Sequence, residues 1–240
     1  MRNLAQRVKN NDFGIKRKNI KKNSRAKGKN NNIKQIIFRH ISNNIKEYTI
    51  VSIFFLIGVI LGVIVINNSD VESQNNIQGY IQTFINSLKS NEYKIDIQGL
   101  LQSSIISNVK LALLIWFVGS TVIGMPLIYG IIAFRGYCLG YTIAAIMATL
   151  GSRSGTTFAL ASLLLQNLLI IPGIFALSIS GIRLYKAIMQ DRRKENIKLE
   201  IYKHSIFSLG ILIILVLAAV VETYASGNLI MLTVKYIWNL

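Results

Sequence analysis

The sequence is poor in the residues that build disulfide frameworks, metal sites and catalytic centres. It has one cysteine, Cys138, and two histidines, His40 and His204, which lack the two-histidine helical spacing of zinc sites. No phosphate-binding loop occurs, and the segment GSRSG has Arg153 where a nucleophile elbow has its serine. The sequence therefore indicates no enzyme, and we predict neither a cofactor nor a metal.

Charged residues are also scarce. They make up 15% of the chain, against 52% hydrophobic residues, whereas about 25% of the residues in a typical soluble domain are charged. Several charge-free runs approach membrane-spanning length. This combination predicts an integral membrane protein rather than a water-soluble one.

Positive charge is concentrated at the N-terminus. Fourteen of the 27 lysines and arginines lie in residues 1–46, which contain a single acid, Asp12. We predict that residues 1–47 form a basic, mostly disordered cytoplasmic tail that contacts anionic lipid. A nucleic-acid-binding arm would be basic too, but Phe13 and Phe38 are too sparse for a stacking platform, so no nucleic acid is expected.

Five charge-free runs are long enough to cross a bilayer, so we predict an all-α integral membrane protein with a five-helix transmembrane bundle over residues 48–240. The fourth run exceeds one straight span and contains Pro172, so it should tilt, kink or begin with a surface turn. Residues 229–238 are too few to cross again and are predicted to lie at the membrane surface. The predicted spans are residues 48–66, 111–134, 136–152, 154–182 and 205–221.

Arg135 separates the second run from the third. One helix over residues 111–152 would be about 63 Å long, roughly twice the hydrocarbon thickness, so the chain must turn back. Gly130 and Gly136 flank the arginine and would permit a tight bend. We therefore predict a hairpin at Arg135 and Gly136, with the arginine at headgroup level rather than in a ligand site.

The distribution of lysine and arginine predicts the orientation of the chain. With the N-terminus inside, the cytoplasmic side would hold 22 of these residues and the outer side five. Because cytoplasmic loops collect lysine and arginine, we predict that the N-terminus is inside and the C-terminus outside. Residues 67–110 then form an external helical segment.

Apolar residues recur at helical spacing within this external segment, and a second amphipathic stretch follows at residues 97–109. The stripe either packs against the rest of the protein or the membrane surface, or it binds a partner, and the two uses are compatible. The predicted partner-binding residues are Ile77, Tyr80, Ile81, Phe84, Ile85 and Leu88.

Small and polar residues inside the predicted spans indicate helix packing. Small-xxx-small spacing occurs in two pairs, Gly58 with Gly62 and Gly136 with Gly140, and it allows helix backbones to approach closely. Self-association into a homo-oligomer is the alternative use of these pairs. The amides of Gln166 and Asn167 lie mid-run, where each is expected to form an interhelical hydrogen bond.

Transport of a small solute or lipid is the alternative function. A carrier usually has ionisable residues inside its spans and two related halves, whereas the predicted spans are nearly charge-free and show no repeat. Gln166 and Asn167, close to Pro172, are the only hint of a transport site.

Three segments resemble the stage II sporulation protein M family of endospore-forming bacteria. They are SNVKLALLIWFVGSTVIGMPLIYGIIAFRGYCLG, LLLQNLLIIPGIFALSISGIRLY and VVETYASGN. The matching features include Asn108, the pair Gly136 and Gly140, the Gln-Asn followed by Ile-Pro, and Glu222. The Pro-His-Gly of the wider family and its following Glu are absent, which favours the sporulation branch.

The resemblance implies a multi-pass protein of the mother-cell membrane. Members of the family act with two cell-wall hydrolases, stage II sporulation proteins D and P, to thin septal peptidoglycan so that this membrane can migrate around the forespore. By this resemblance the chain would be a scaffold that cleaves no peptidoglycan itself.

Overall fold

The computed structural model describes residues 33–89, 96–121, 123–190 and 194–238, and all elements in these ranges are helical. Five helices are long and apolar enough to cross a membrane, which confirms the predicted all-α membrane architecture. The helices are α1 Ile33–Asn43, α2 Ile45–Asn67, α3 Val71–Lys89, α4 Ile97–Gly119, α5 Gly124–Leu150, α6 Ser152–Ala159, a π-helical segment Leu160–Leu164, α7 Leu165–Gln190 and α8 Lys194–Trp238.

The chain divides into two units, Met1–Asn43 and Asn44–Leu240. The first unit contains α1, which lies within residues 1–47 of the predicted tail. The prediction that this tail is mostly disordered stays a prediction. Residues 1–32 of the predicted tail lie outside the described residues.

The second span ends at Gly119 and the third begins at Gly124, so the predicted hairpin at Arg135 and Gly136 is wrong. Hydroxyl groups satisfy carbonyls at the end of α4, because Ser120 donates to the Trp116 carbonyl and Thr121 to the Val118 carbonyl. Pro126 lies in the first turn of α5, where a helix needs no donor from its backbone. The third span therefore begins eleven residues before Arg135.

The corrected turn changes which residues belong to the second and third spans. The candidate spans are Ile97–Gly119 and Gly124–Leu150 instead of residues 111–134 and 136–152. The stretch 97–110, predicted to be external, is therefore the first half of a membrane-spanning helix. Gly151 follows α5 with φ of 79°, in the left-handed region that favours glycine, and the third span ends at Leu150, two residues before its predicted end.

The fourth and fifth spans also differ from their predicted bounds. Helical structure runs from Ser152 to Gln190 with the π-helical segment inside it, and the candidate span is Asn167–Met189. The fifth candidate span is Ile197–Tyr224, but α8 continues without a break to Trp238. The predicted separate surface element at residues 229–238 is therefore the continuation of α8.

The core of the second unit lies between α2, α4, α5, α7 and α8. Its fully buried side chains are branched aliphatic residues from facing helices, such as Ile115, Ile132 and Leu215. A smaller cluster joins Ile85 of α3 to Ile146 and Phe158. The bundle thus holds α3 against α5 and α6 through apolar contacts.

Candidate functional site

Helix α3 carries the apolar stripe that the sequence predicts, and the structure divides it into two sides. Ile85 is buried against Ile146 and Phe158, and Ile81 packs against the same cluster. On the other side, Tyr80 is 79% exposed and Phe84 is 41% exposed. Ile77 is half-buried, and the side chain of Leu88 lies outside the described residues.

The start of α3 is fixed locally. Asp70 precedes the helix, and a hydrogen bond from the Ser73 side chain lowers the pKa of its carboxyl group. A carboxylate at a helix N-terminus also interacts favourably with the backbone N–H groups there. With Ile85 as an anchor and Asp70 at its start, α3 presents Tyr80 and Phe84 as an ordered pair of aromatic rings.

A second candidate site is a groove of about 730 Å³ between α4, α5 and α8. Its polar lining comes from one stretch of α4 together with one residue each from α5 and α8. The apolar lining includes Leu111, Leu114, Leu127 and Ile131. We call it the α4–α5 groove, and its polar residues are Ser103, Ser104, Ser107, Asn108, Arg135 and Glu222.

Hydrogen bonds hold the back of the α4–α5 groove together. The Ser104 hydroxyl donates to Oε2 of Glu222 at 2.7 Å, and the Asn108 amide donates to the Leu215 carbonyl at 3.4 Å. Both bonds join α4 to α8. These bonds fix α4 against α8 along the groove, and Arg135 on α5 lines the same groove as Glu222.

The most informative feature of this groove is the position of Arg135 along α5. Arg135 lies eleven residues after the start of α5 at Gly124, which is about 16 Å along the helix. The arginine is thus well inside a candidate span instead of at headgroup level. An ionisable residue at such depth normally marks a binding, transport or pairing site.

Other ionisable residues of the candidate spans form contacts near the start of α2 and the end of α7. Lys186 of α7 and Glu47 of α2 form an ion pair at 2.7 Å. Nδ1 of the buried His204 lies 2.8 Å from the Ser180 hydroxyl, which joins α8 to α7. The expectation of nearly charge-free spans is therefore wrong, because the corrected spans include residues that the sequence analysis placed at boundaries.

The two predicted glycine pairs meet each other across the contact between α2 and α5. A Cβ atom at Gly58 would overlap the Ala133 carbonyl, and one at Gly62 the Tyr137 carbonyl. On the opposite helix, Cβ atoms at Gly136 and Gly140 would overlap backbone carbonyls of α2. Both small-xxx-small pairs are thus occupied in a contact within one chain.

The two predicted packing amides are placed differently. Asn167 is buried, and its amide donates to the Leu163 carbonyl at 2.8 Å, four residues earlier in the same helical stretch. The bond described for Asn167 is thus within its own helical stretch, and its predicted interhelical bond stays a prediction. The side chain of Gln166 lies outside the described residues.

Sequence reasoning missed Ser104 and placed Arg135 at headgroup level, and it singled out Glu222 only through the family resemblance. The sequence does carry a signal for the depth of the two cations. Lys110 lies about as far before the Gly-Ser-Thr segment as Arg135 lies after the Gly-Met-Pro segment. A turn placed at those segments puts both cations inside helices. Among the residues that the structure describes, no three histidine, cysteine, aspartate or glutamate side chains form a group that could hold a metal.

Comparison with known proteins gives one match. The model of a family described as Stage II sporulation protein M matches residues 51–227, which is about three quarters of the chain and includes α3, the α4–α5 groove and the paired glycines. Neither a curated protein nor a solved structure shows significant similarity to the chain.

Proposed function

Because the chain belongs to the stage II sporulation protein M family, we propose that it is a non-catalytic membrane scaffold which recruits and organises septal peptidoglycan hydrolases during forespore engulfment. Its partners in this proposal are stage II sporulation proteins D and P, and its location is the mother-cell side of the sporulation septum. The family makes it a multi-pass membrane protein of sporulation, and the recruitment is the proposed step.

The observation that carries this proposal is the exposed aromatic pair Tyr80 and Phe84 on an otherwise anchored helix. Aromatic residues are enriched among the residues that dominate binding energy at protein interfaces. Ile81 and Ile85 hold the helix against the bundle, so α3 loses little further freedom when it binds. In the predicted orientation α3 lies outside the cell membrane, where a peptidoglycan hydrolase can reach it.

The test replaces both rings with carboxylates in the variant Y80D/F84D. Removal of one buried aromatic anchor commonly costs more than 2 kcal/mol, a factor of about 30 in affinity. We expect the variant to remain in the membrane, to lose both hydrolases on co-purification from sporulating cells, and to stop engulfment at a flat septum.

The matched control is Q82D/N86D, which adds the same charge at the same spacing on exposed polar positions of α3. This variant is expected to keep the hydrolases and to complete engulfment. Hydrolase retention by Y80D/F84D at normal membrane abundance would contradict the proposal and would limit α3 to packing.

Transport of a small solute or lipid is a second candidate, and one observation favours it. Arg135, well inside the third candidate span, and Glu222, near the end of the fifth, line one groove, and carriers place binding residues within their spans. A variant R135Q at normal abundance that retained hydrolases and completed engulfment, but lost solute or lipid movement in proteoliposomes, would support the carrier over the scaffold.

A further inference from the structure

We propose that the α4–α5 groove binds an anionic phospholipid of the surrounding membrane, with its phosphate at Arg135 and one acyl chain along the apolar end of the groove. This proposal does not rest on hydrolase recruitment. Three observations support it: the depth of Arg135 and Lys110 in their helices, the order of polar and apolar residues along the groove, and the charged residues in and beside its lining.

Two cations lie at depths where hydrocarbon makes an unpaired charge costly. Arg135 is half-buried in the groove, and Lys110 is exposed nine residues before the end of α4, about 14 Å along the helix. A lysine or arginine at the centre of a span costs about 2.5–3.5 kcal/mol on insertion scales. A bound anion at this place would offset that cost for both residues.

Lys110 borders the groove through helical spacing. Ser107 and Leu114 lie three residues before it and four residues after it, and both line the groove. Lys110 is exposed and lies on α4 next to these lining residues, whereas Arg135 is itself part of the lining. An anionic group that enters between α4 and α5 meets both cations.

Polarity changes along the groove. Leu100 lines it first, and its polar residues on α4 then begin at Ser103, about 9 Å from the start of the helix, and end at Asn108. Beyond them the lining continues with Leu111, Leu114 and Leu127. From Ser103 onward this is the order of polarity of an amphiphile with a polar head and an acyl chain.

The charges in and beside the groove also favour an anion. Glu222 already accepts a hydrogen bond from Ser104, so its carboxylate has a protein donor. Within the lining Arg135 balances this carboxylate, and the exposed Lys110, beside the lining stretch of α4, adds a second cation. Arginine binds phosphate in a bidentate geometry, and the serine hydroxyls can donate to phosphate or ester oxygens.

The size of the groove fits part of a phospholipid. A volume of about 730 Å³ falls within the range of ordinary ligand sites. It accommodates a headgroup and the upper part of one chain, while the second chain remains in the bilayer. The groove is thus a site for a lipid that is bound from the membrane.

The experiment measures lipid binding to the full-length detergent-purified protein by native mass spectrometry. The probes are phosphatidylglycerol and phosphatidylcholine with identical acyl chains, so that only the headgroup charge differs. We expect the wild-type protein to prefer phosphatidylglycerol, and R135Q to weaken its binding about tenfold, as for loss of a charged hydrogen bond. Phosphatidylcholine binding should change little.

Two further variants keep this test decisive. K110Q changes an exposed position and should leave the fold intact while it weakens phosphatidylglycerol binding, even if R135Q fails to fold. R153Q is the matched control, because it removes an exposed arginine of α6 that does not line the groove. Equal binding of the two lipids, or unchanged phosphatidylglycerol binding in both R135Q and K110Q, would overturn the proposal.

A photoreactive residue at Ser107 tests the occupant in the native membrane. Cross-linking to phospholipid is expected, and it should decrease in K110Q. Efficient cross-linking to another membrane protein, with no lipid adduct, would assign the groove to a partner helix and overturn the lipid site.

Discussion

Ser104 and Glu222 show how one hydrogen bond can fix a polar position between two membrane helices. The hydroxyl on α4 is the described donor to the carboxylate on α8, and the two residues are 118 positions apart in the chain. Neither residue lies at a helix end, so the bond specifies how α4 and α8 are aligned along their length. Its strength can be measured independently of any bound lipid.

We expect a double-mutant cycle with S104A and E222A to give a favourable coupling energy of about 0.6–1.7 kcal/mol, the range found for interhelical hydrogen bonds in membranes. The free energy of unfolding would be measured by detergent denaturation in the absence of phospholipid. S104A alone removes the donor and leaves a half-buried carboxylate, so it should destabilise the protein.

The control for this cycle is S107A, one turn further along α4. Ser107 is exposed, so its hydroxyl has little to lose when it is removed. A coupling energy near zero between S104A and E222A would contradict the interpretation and would make their contact incidental to stability.

At the scale of helices, the contact between α2 and α5 depends on the absence of side chains. Backbone atoms of each helix occupy the space that a Cβ atom of the opposite glycine would need, at Gly58 and Gly62 as well as at Gly136 and Gly140. Close backbone approach of this kind is how small residues stabilise helix pairs without a hydrophobic driving force. Even alanine is too large at these positions.

We expect G136A to lower the free energy of unfolding by about 1–3 kcal/mol, the usual cost of an overpacked contact. The matched control is G130A on the same helix, where a Cβ atom would meet no other atom within 4 Å. That change should be neutral or stabilising by up to about 1 kcal/mol, since glycine is a poor helix former. Equal destabilisation by both variants would show that the α2–α5 contact is not the limiting feature.

The same helices show what the sequence could predict. Hydropathy and run length gave five spans and the apolar face of α3, because these properties depend on local composition and periodicity. The position of the second turn was missed because Lys110 and Arg135 were taken as boundaries, whereas Gly124 and Pro126 mark the helix start. A charged residue shows where burial in the membrane costs free energy. The end of a helix is determined instead by proline and by the hydrogen bonding of the terminal backbone groups.

The candidate sites were predictable to different degrees for a related reason. Tyr80 and Phe84 follow from the spacing of a single helix. The α4–α5 groove combines residues from three helices, and the bond from Ser104 to Glu222 depends on the alignment of α4 against α8. Such alignment depends on the packing of helices that are far apart in the chain, so it cannot be predicted from the residues of any one segment. The pairing of Gly58 and Gly62 with Gly136 and Gly140 is of the same kind.

At the scale of the whole molecule, the revised spans leave the predicted orientation unchanged. Seven lysines and arginines now lie within candidate spans, so the count becomes 16 on the cytoplasmic side against four outside. Five crossings still place the two termini on opposite sides. The N-terminus is therefore predicted inside, and α3 and the C-terminus outside.

Single-cysteine labelling in a C138A background tests this orientation. We expect N76C on α3 to react with a membrane-impermeant thiol reagent in intact protoplasts, because Asn76 is exposed on the predicted outer side. K198C, at an exposed position near the start of α8, should react only after the cells are opened. The C138A protein itself serves as the unlabelled control. Reaction of K198C but not N76C in intact protoplasts would invert the topology, and it would place Tyr80 and Phe84 in the cytoplasm, where they could not bind a peptidoglycan hydrolase.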